Sequence, residues 1–381
     1  HPYAHGLLAS IPRLTQTSLP LALDGRPPMP GETITGCAFA DRCALADERC
    51  QSTPPTLKQR ESGEEVRCFH PDRIDQLPVV NKTVVNKTAA NKTVTQKGEV
   101  SADHGGDALG LNQLAISYAK PSLWNQLFSS GSMPPATVDN INISIRTGET
   151  LGLVGESGSG KSTILKAIAG LISPKTGHLV LNGEARLTPK VEDRPALHLR
   201  QIQMIFQNPD DSLNPRHTIA QILAQPLRLY FSLTGEELRQ RSIELLERVR
   251  LGSHYLDRLP SQLSGGEKQR VAVARAFAAE PAIVLCDEVT SALDVSVQAA
   301  VLDLLNELKT QQGTTYIFVS HDLAVVKAIS NRVAVLYQGR LCEIGPADAV
   351  YSGPFHPYTD VLLGAVLDPG PDGGPKVSGE E

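Results

Sequence analysis

The sequence predicts an α/β protein whose core is a mainly parallel β-sheet. Residues 150–154, 282–286 and 316–319 are continuous apolar runs, which is the pattern of strands that are buried on both faces. Helical patterns separate these runs, and residues 235–250 form an amphipathic one. Because strands that alternate with helices usually pair in parallel, we expect one mainly parallel sheet.

Two smaller subdomains are expected beside this sheet. Apolar and polar residues alternate at 114–118 and at 141–145, which predicts antiparallel strands with one face in water. The stretch from about 208 to 263 predicts a separate helical subdomain. The expected fold therefore combines a mainly parallel sheet with an antiparallel β subdomain and a helical subdomain, preceded by a cysteine-rich loop tail.

The composition excludes several classes of protein. The chain has 381 residues and a net charge of −5, so it lacks the basic surface that binds nucleic acid. Aromatic residues make up only 4% of the chain, which argues against a base-stacking surface. No apolar run reaches the roughly 18 residues that a membrane-spanning helix needs, and no signal-peptide pattern is present. We therefore expect a soluble, cytoplasmic protein that binds no nucleic acid and reaches a membrane only through a partner.

A short motif occurs twice in the chain. The tripeptide His-Pro-Tyr begins at positions 1 and 356, and a Leu-Leu pair follows at the same spacing, at 7–8 and at 362–363. An internal repeat indicates two copies of one unit. Here the second copy carries the whole unit and the first carries only its tail. We therefore expect a fragment of a longer, tandem protein.

Four segments are expected along the chain. Residues 1–78 form the Pro-rich tail of the first repeat copy. Residues 79–107 contain three Asn-Lys-Thr repeats without hydrophobic periodicity, a composition typical of a flexible linker. Residues 109–345 form the main domain, and residues 346–381 form its own tail.

A phosphate-binding motif of the form G-x-x-x-x-G-K-[ST] is complete at residues 155–162. It follows the apolar run 150–154 and opens a helical pattern, which is the context that the motif requires. Backbone N–H groups and the helix N-terminus would surround the β-phosphate. Lys161 would neutralise the β- and γ-phosphate oxygens, and the Ser162 hydroxyl would complete the shell of a Mg²⁺ ion. The predicted nucleotide-binding residues are Gly155, Glu156, Ser157, Gly158, Ser159, Gly160, Lys161, Ser162 and Thr163.

Two adjacent carboxylates end the run 282–286. Asp287 would hold Mg²⁺ directly or through water, and Glu288 would polarise an attacking water. Adjacent acids after a strand are also common at helix N-termini. The pair therefore indicates catalysis only in combination with the phosphate motif.

Residues 263–270 (Leu-Ser-Gly-Gly-Glu-Lys-Gln-Arg) resemble the signature motif of ATP-binding cassettes, the ATPase domains of ABC transporters. The resemblance covers residues 109–363 and implies a P-loop ATPase fold. It also implies that the signature binds a γ-phosphate held by an opposing cassette, so that two cassettes enclose two ATP molecules. The residues to which it gives roles are Gln207 (catalytic and Mg²⁺-binding), His321 (catalytic), Tyr118 (adenine stacking), and Ser264, Gly265, Gly266, Glu267 and Asp294 (nucleotide binding).

The segments 206–209 (Phe-Gln-Asn-Pro) and 212–216 (Ser-Leu-Asn-Pro-Arg), like the His-Pro-Tyr tail, resemble those of oligopeptide and dipeptide importer cassettes. One departure is Val289, where the family usually has Pro. The resemblance implies that cassette closure drives peptide import, with nickel, heme or sugar conjugates as alternative cargo. The implied partners are two transmembrane permease subunits, an extracytoplasmic substrate-binding protein and a second cassette, expected in the missing N-terminal half, at the cytoplasmic face of the membrane.

An alternative class is a soluble cassette ATPase of translation or DNA repair. Such a protein would need a basic linker or a long coiled coil, and the sequence contains neither. Peptide import is therefore the favoured interpretation.

Four of the six cysteines lie in the N-terminal tail, at Cys37, Cys43, Cys50 and Cys68. In a cytosolic protein such a cluster indicates a metal before disulfides. No pair has the short spacing usual for structural zinc, whereas four thiolates can hold a [4Fe–4S] cluster. The tail also resembles that of peptide-importer cassettes, some of which carry such a cluster. We expect a structural [4Fe–4S] cluster, with zinc and free thiols or disulfides as the alternatives.

Overall fold

The computed structural model describes residues 1–14, 19–23, 34–59, 65–76, 106–118, 137–353 and 356–365. Most of the predicted linker 79–107 lies outside these residues, and so does the end of the chain beyond 365. The chain divides into two compact units, and the domain boundaries expected from the sequence stay predictions. The first unit comprises His1–Pro12, Pro20–Asp103 and Asp294–Ala300, and the second comprises Arg13–Leu19, His104–Leu293 and Val301–Glu381.

The described strands form three sheets. Their bounds are β1 Lys58–Gln59, β2 Glu65–Val66, β3 Asp107–Ile116, β4 Val138–Arg146, β5 Thr150–Val154, β6 Thr176–Leu181, β7 Ala185–Arg186, β8 Ile202–Ile205, β9 Ile283–Asp287, β10 Thr315–Val319, β11 Arg332–Tyr337 and β12 Arg340–Pro346. The central sheet has the order β12-β11-β5-β10-β9-β8. All its neighbours pair in parallel except β12, which is antiparallel to β11. The predicted mainly parallel sheet is confirmed.

The second sheet, in the order β4-β3-β6-β7, is antiparallel throughout. Strand β4 alternates buried and exposed residues along most of its length, as the pattern at 141–145 predicts. The alternation predicted at 114–118 is not found. Strand β3 ends at Ile116 with three buried residues in a row, and its register shifts on both neighbours near Gln113, whose φ is +48°. Together β1 and β2 make a separate two-stranded pair in the first unit.

The helices begin and end largely where local sequence signals place them. Thr218 and Gln221 form a capping box at the start of helix α5 (Ile219–Phe231), and Asp322 accepts two N–H bonds at the start of helix α9 (Leu323–Ile329). The helix predicted at 235–250 is α6. The bounds are α1 Pro2–Ala9, α2 Glu48–Ser52, α3 Lys161–Ile168, α4 Ala196–Gln201, α5 Ile219–Phe231, α6 Gly235–Arg248, α7 Gly265–Phe277, α8 Val295–Gln312, α9 Leu323–Ile329, α10 Ala347–Ser352 and α11 Pro357–Gly364.

Short 3₁₀ helices connect several of these elements. They lie at Ala40–Arg42, Pro71–Gln76, Val191–Asp193, Pro209–Asp211, Ser253–Tyr255 and Pro260–Gln262. Among the described residues, no helix combines the length and the apolar character needed to cross a bilayer.

The hydrophobic core of the second unit consists of two clusters divided by the parallel sheet. Successive residues of a strand point to opposite faces, so Val284 and Phe318 belong to one cluster while Leu285 and Ile317 belong to the other. Each of these four side chains is at most 1% exposed. Burial on both faces explains why the strands are apolar without alternation, and it fixes the strand ends on which the site is built.

Candidate functional site

The loop after β5 needs its glycines. Gly155 has φ +143°, and a Cβ on it would lie 2.1 Å from the carbonyl oxygen of Leu336. Gly160, immediately before α3, has φ +104°, and a Cβ there would lie 2.7 Å from a methyl carbon of Val138. Residues with side chains rarely adopt such backbone angles. The motif glycines therefore let the loop run close against β4 and β11 while its N–H groups stay free to turn inward.

Lys161 is already directed into the loop. Its Nζ donates to the carbonyl oxygens of Gly155 at 2.7 Å and Glu156 at 2.8 Å, and the residue is only 6% exposed. Burial lowers the pKa of the ammonium, and the nearby charges of Glu288 and Asp287 oppose that shift. Phosphate oxygens could replace the two carbonyls as partners of this cation.

Ser162 and Asp287 meet although they are 125 residues apart. The Ser162 Oγ donates to Asp287 Oδ1 at 2.7 Å. Burial raises the pKa of the Asp287 carboxyl, while the hydrogen bond from Ser162 acts against the rise. A hydroxyl and a carboxylate are hard oxygen donors of the kind that Mg²⁺ prefers. These two residues therefore fit the predicted Mg²⁺ site.

Glu288 is held by residues from the two neighbouring strand ends. Gln207, after β8, donates from Nε2 to Glu288 Oε2 at 2.9 Å. His321, after β10, places Nδ1 3.7 Å from the same oxygen. The backbone of Glu288 has φ +49°, and its N–H donates to the Val319 carbonyl at 3.0 Å. A left-handed backbone at a residue with a side chain is a strained arrangement that is typical of functional sites.

Tyr118 and Thr163 form a pair at the edge of the site. The Tyr118 hydroxyl lies 3.1 Å from Thr163 Oγ1, and Tyr118 is 56% exposed. A face of its ring is thus available for stacking, as the adenine-binding role requires. The structure therefore brings the phosphate loop together with Tyr118, Gln207, Asp287, Glu288 and His321.

The signature residues form a separate group at the start of α7. The Ser264 side chain caps the helix by accepting the Glu267 N–H, and the Glu267 carboxylate accepts the Ser264 N–H at 2.7 Å. Glu267 also accepts a short hydrogen bond from the hydroxyl of Tyr255. Within the described residues these side chains bond to one another and to Tyr255, and not to the phosphate loop. Asp294 lies in the first unit, is exposed, and accepts the Gln298 N–H at its carbonyl.

Two contacts to the phosphate loop were not predicted from the sequence. The Glu156 N–H donates to the hydroxyl of Tyr358 at 3.0 Å, and the Gly339 N–H donates to the Ser159 carbonyl at 3.1 Å. Tyr358 belongs to the second His-Pro-Tyr motif, which the sequence showed as a repeat and as part of the resemblance to peptide-importer cassettes. That motif was the available signal, but nothing in it indicates a contact 202 residues away.

The four tail cysteines line one small pocket in the first unit, together with Phe39, His70 and other residues. All four are free thiols. Burial raises the pKa of Cys43, and the charges of Cys68 and Cys37 act in the same direction. Four thiols on one pocket fit a [4Fe–4S] cluster.

Two residues beside the cysteines were not identified from the sequence. The His70 N–H donates to Cys68 Sγ at 3.3 Å. His70 and Asp47 also place ligand atoms within 4.8 Å of each other and of Cys50 Sγ. A set of nitrogen, oxygen and sulfur donors is compatible with zinc, which keeps the alternative metal open.

Two family models match the chain. Residues 138–291 match the model described as ABC transporter. Residues 1–50 and 342–381 both match the model described as Oligopeptide/dipeptide transporter, C-terminal region. The two matched segments contain the two His-Pro-Tyr motifs.

Solved structures support the same fold. The structure of cbiO1 from Clostridium perfringens, part of the ABC transporter complex cbiONQ, has a TM-score of 0.55 and 25% identity, covering 65% of this chain and 92% of that one. A dimeric structure of the ATP-binding cassette MJ0796 in a post-hydrolysis state with ADP and Pi has a TM-score of 0.53 and 29% identity, covering 63% and 98%.

Curated relatives are transport ATP-binding proteins. The oligopeptide transport ATP-binding protein OppF of Escherichia coli (strain K12) is 47% identical over 243 residues, which cover 63% of this chain and 72% of that protein. OppF of Bacillus subtilis (strain 168) is 47% identical, covering 62% and 77%. OppD of Mycobacterium tuberculosis (strain ATCC 25618 / H37Rv) is 36% identical over 374 residues, covering 97% and 59%. The chain therefore belongs to the ATP-binding cassettes of ABC transporters, in the family of oligopeptide transport ATP-binding proteins.

Proposed function

We propose that this cassette hydrolyses Mg-ATP and that the hydrolysis drives the import of short peptides through a membrane permease. The observation that carries the proposal is the convergence of phosphate-binding, cation-binding and base side chains on one edge of the parallel sheet. The converging residues are Lys161, Ser162, Gln207, Asp287, Glu288 and His321.

Nucleotide binding is assigned to the phosphate loop and α3. The loop N–H groups and the helix N-terminus would hold the β-phosphate. Lys161 would exchange the carbonyls of Gly155 and Glu156 for phosphate oxygens. Mg²⁺, when bound, neutralises charge on the phosphates, and Ser162 and Asp287 are the residues that would hold it.

Glu288 is the proposed general base. Its carboxylate would accept a proton from the attacking water. The Gln207 amide holds this carboxylate by donating to Oε2 at 2.9 Å. The His321 side chain is 64% exposed, so it is free to turn toward a γ-phosphate. The strained backbone at Glu288 fixes the direction of its carboxylate before the substrate arrives.

A second cassette is required by this mechanism. Ser264 and Glu267 of the signature bond to each other, and the N-terminus of α7 around Ser264 is exposed. A helix N-terminus of this kind suits a phosphate bound on another cassette. We infer that the second cassette belongs to the same polypeptide, because the His-Pro-Tyr motif and its family-model match both occur twice.

Short peptides are the proposed cargo because the relatives from Escherichia coli and Bacillus subtilis are named for oligopeptide transport. Nickel, heme and sugar conjugates remain alternative cargoes. Two permease subunits and an extracytoplasmic binding protein complete the proposed importer, with the cassette at the cytoplasmic face of the membrane.

Peptide uptake tests this function. Cells that carry only the Glu288→Gln protein should lose uptake of a labelled tripeptide, whereas cells with wild-type protein should retain it, and permease subunits should copurify with both proteins. Unchanged peptide uptake together with lost nickel or heme uptake would reassign the cargo. Copurification with ribosomes or repair complexes, without a permease, would favour a soluble cassette ATPase.

We also propose that Cys37, Cys43, Cys50 and Cys68 hold a [4Fe–4S] cluster with a structural role. What supports it is the shared pocket and the absence of disulfides among these four cysteines. The elements that carry these cysteines are short, since α2 with Cys50 has 5 residues and Cys37, Cys43 and Cys68 lie in loops. A metal centre could join such elements into one stable fold.

A further inference from the structure

The C-terminal His-Pro-Tyr motif reaches the phosphate loop through one side chain. His356 caps α11 by accepting the Tyr358 N–H on Nδ1 at 3.1 Å. The Tyr358 hydroxyl then accepts the N–H of Glu156 at 3.0 Å. The Tyr358 ring lies against that of Tyr337, with 4.3 Å between the centroids. The phenol is thus fixed by the helix cap and by ring packing.

Glu156 is consequently held at both its backbone N–H and its backbone carbonyl. Tyr358 bonds its N–H, and Lys161 bonds its carbonyl at 2.8 Å. When Lys161 turns to a phosphate oxygen, its bond to this carbonyl is lost. The carbonyl keeps its bond from the Ser159 N–H within the loop at 3.1 Å, and Tyr358 holds Glu156 from outside the loop. The next support along the loop is the Gly339 N–H on the Ser159 carbonyl, which comes from the turn between β11 and β12.

We propose that Tyr358 is a positioning residue for ATP, holding the start of the phosphate loop in its binding shape so that the C-terminal tail sets nucleotide affinity. The proposal rests on ATP binding at the phosphate loop. Ordering a loop when a ligand binds costs conformational entropy. A loop that is already fixed at Glu156 avoids part of that cost.

The first His-Pro-Tyr motif supplies a matched comparison. His1 Nδ1 accepts the Tyr3 N–H at 3.0 Å, and α1 has 8 residues, as α11 does. The Tyr3 ring, however, is 42% exposed and meets Phe39 edge-on at 5.3 Å. The same local motif therefore occurs with a different tyrosine environment.

Binding of the fluorescent analogue trinitrophenyl-ATP with Mg²⁺ tests the role of the hydroxyl in the full chain. Tyr358→Phe keeps the ring and should raise the Kd about three- to tenfold, the range that one hydrogen bond supplies. In ATPase assays, the KM for ATP should rise by the same factor while kcat stays within about twofold. Hydrogen exchange of the peptide containing Glu156 should become faster.

Three control variants separate the possible causes. Tyr3→Phe and Tyr337→Phe should leave the Kd unchanged. The Tyr337 hydroxyl bonds Gln338 and not the loop, and the Tyr3 ring lies against Phe39. An unchanged or lower Kd for Tyr358→Phe would overturn the proposal, and so would an equal rise for Tyr337→Phe. Lys161→Ala distinguishes the two levels of failure. If that variant binds normally, the nucleotide site itself is wrong; if it binds weakly while Tyr358→Phe binds normally, only the role of Tyr358 is wrong.

Discussion

The phosphate site and the cysteine pocket differ in what holds them together. The phosphate loop, Asp287 and Glu288 lie at the carboxyl ends of strands of the parallel sheet, so a large core fixes their positions. The hydrogen bonds of Lys161 and Ser162 form without nucleotide. Of the four pocket cysteines, Cys50 lies on the short helix α2, and the other three lie in loops. The first site is built by the fold, whereas the proposed [4Fe–4S] cluster would join the parts of the second.

This contrast shows where the binding energy of a ligand goes. In a preformed site the ligand replaces internal partners, so changes to the site affect affinity or rate more than folding. In a site assembled around a metal, binding energy is also folding energy. Variants at the two sites should therefore differ in which property they alter, as well as in how much.

The largest effect is expected from Glu288→Gln. The amide cannot accept a proton from water, so ATP hydrolysis should fall about 100-fold or more. Nucleotide affinity should stay within about threefold, because the phosphate-binding groups are untouched. Steady-state ATPase assays of the complete importer and equilibrium nucleotide binding measure the two quantities. Glu237→Gln, on the exposed face of α6, is the matched control, and near-normal turnover in Glu288→Gln would contradict the assignment of the base.

Lys161→Ala should instead weaken binding. Removing a buried ammonium takes away charge-assisted bonds to phosphate, which should raise the Kd for Mg-ATP about tenfold or more. Isothermal titration with ATP measures this change, and Lys190→Ala, an exposed lysine, should leave the Kd unaltered. The melting temperature without nucleotide should change little if the site is built by the fold. A large loss of stability would erase the contrast with the cysteine pocket.

The sequence predicted the parallel sheet better than the tertiary contacts that hold the site residues in place. The run at 150–154 coincides with β5, because burial on both faces leaves an unbroken apolar pattern. The bond between Ser162 and Asp287 follows from two motifs at the same edge of the parallel sheet, after β5 and at the end of β9, which β10 separates. The φ of +49° at Glu288 and the contact of Tyr358 with Glu156 leave no local pattern, since both depend on tertiary packing. His70 was missed beside Cys68 because only cysteines were counted as ligands.

The cysteine pocket should respond to metal. Protein purified without oxygen should be brown, with broad absorbance near about 400 nm and about four irons per chain. Cys50→Ser should bleach it and make the first unit more sensitive to proteolysis, because the ligand joins the short elements. Metal analysis, absorbance and limited proteolysis check these outcomes. Cys342→Ser, a thiol outside the pocket, should keep both iron and resistance. Stoichiometric zinc without iron would replace the cluster by the alternative metal.

The smallest expected effect is at Asp287, where a substitution should raise stability, whereas the substitutions above each cause a loss. Burial raises the pKa of this carboxyl, so the folded protein holds it charged at a cost when the pH is above that pKa. Asp287→Asn removes the charge, and its side-chain oxygen can still accept the Ser162 hydroxyl. The nucleotide-free protein should therefore melt at a higher temperature than wild type at neutral pH, while Mg-ATP should stabilise it less than it stabilises wild type.

The pH dependence follows from the direction of the shift. The stability of wild type should fall as pH rises through the raised pKa of Asp287, because the folded state then loses a proton that it prefers to keep. Below that pKa the wild-type carboxyl is neutral, so the gap in melting temperature between wild type and Asp287→Asn should close. Asp257→Asn, at an exposed position, should show no such gap at any pH. A lower melting temperature for Asp287→Asn at neutral pH would mean that the charged carboxylate contributes to folding. The phosphate site would then depend on its ionic partners, as the cysteine pocket is proposed to depend on a metal.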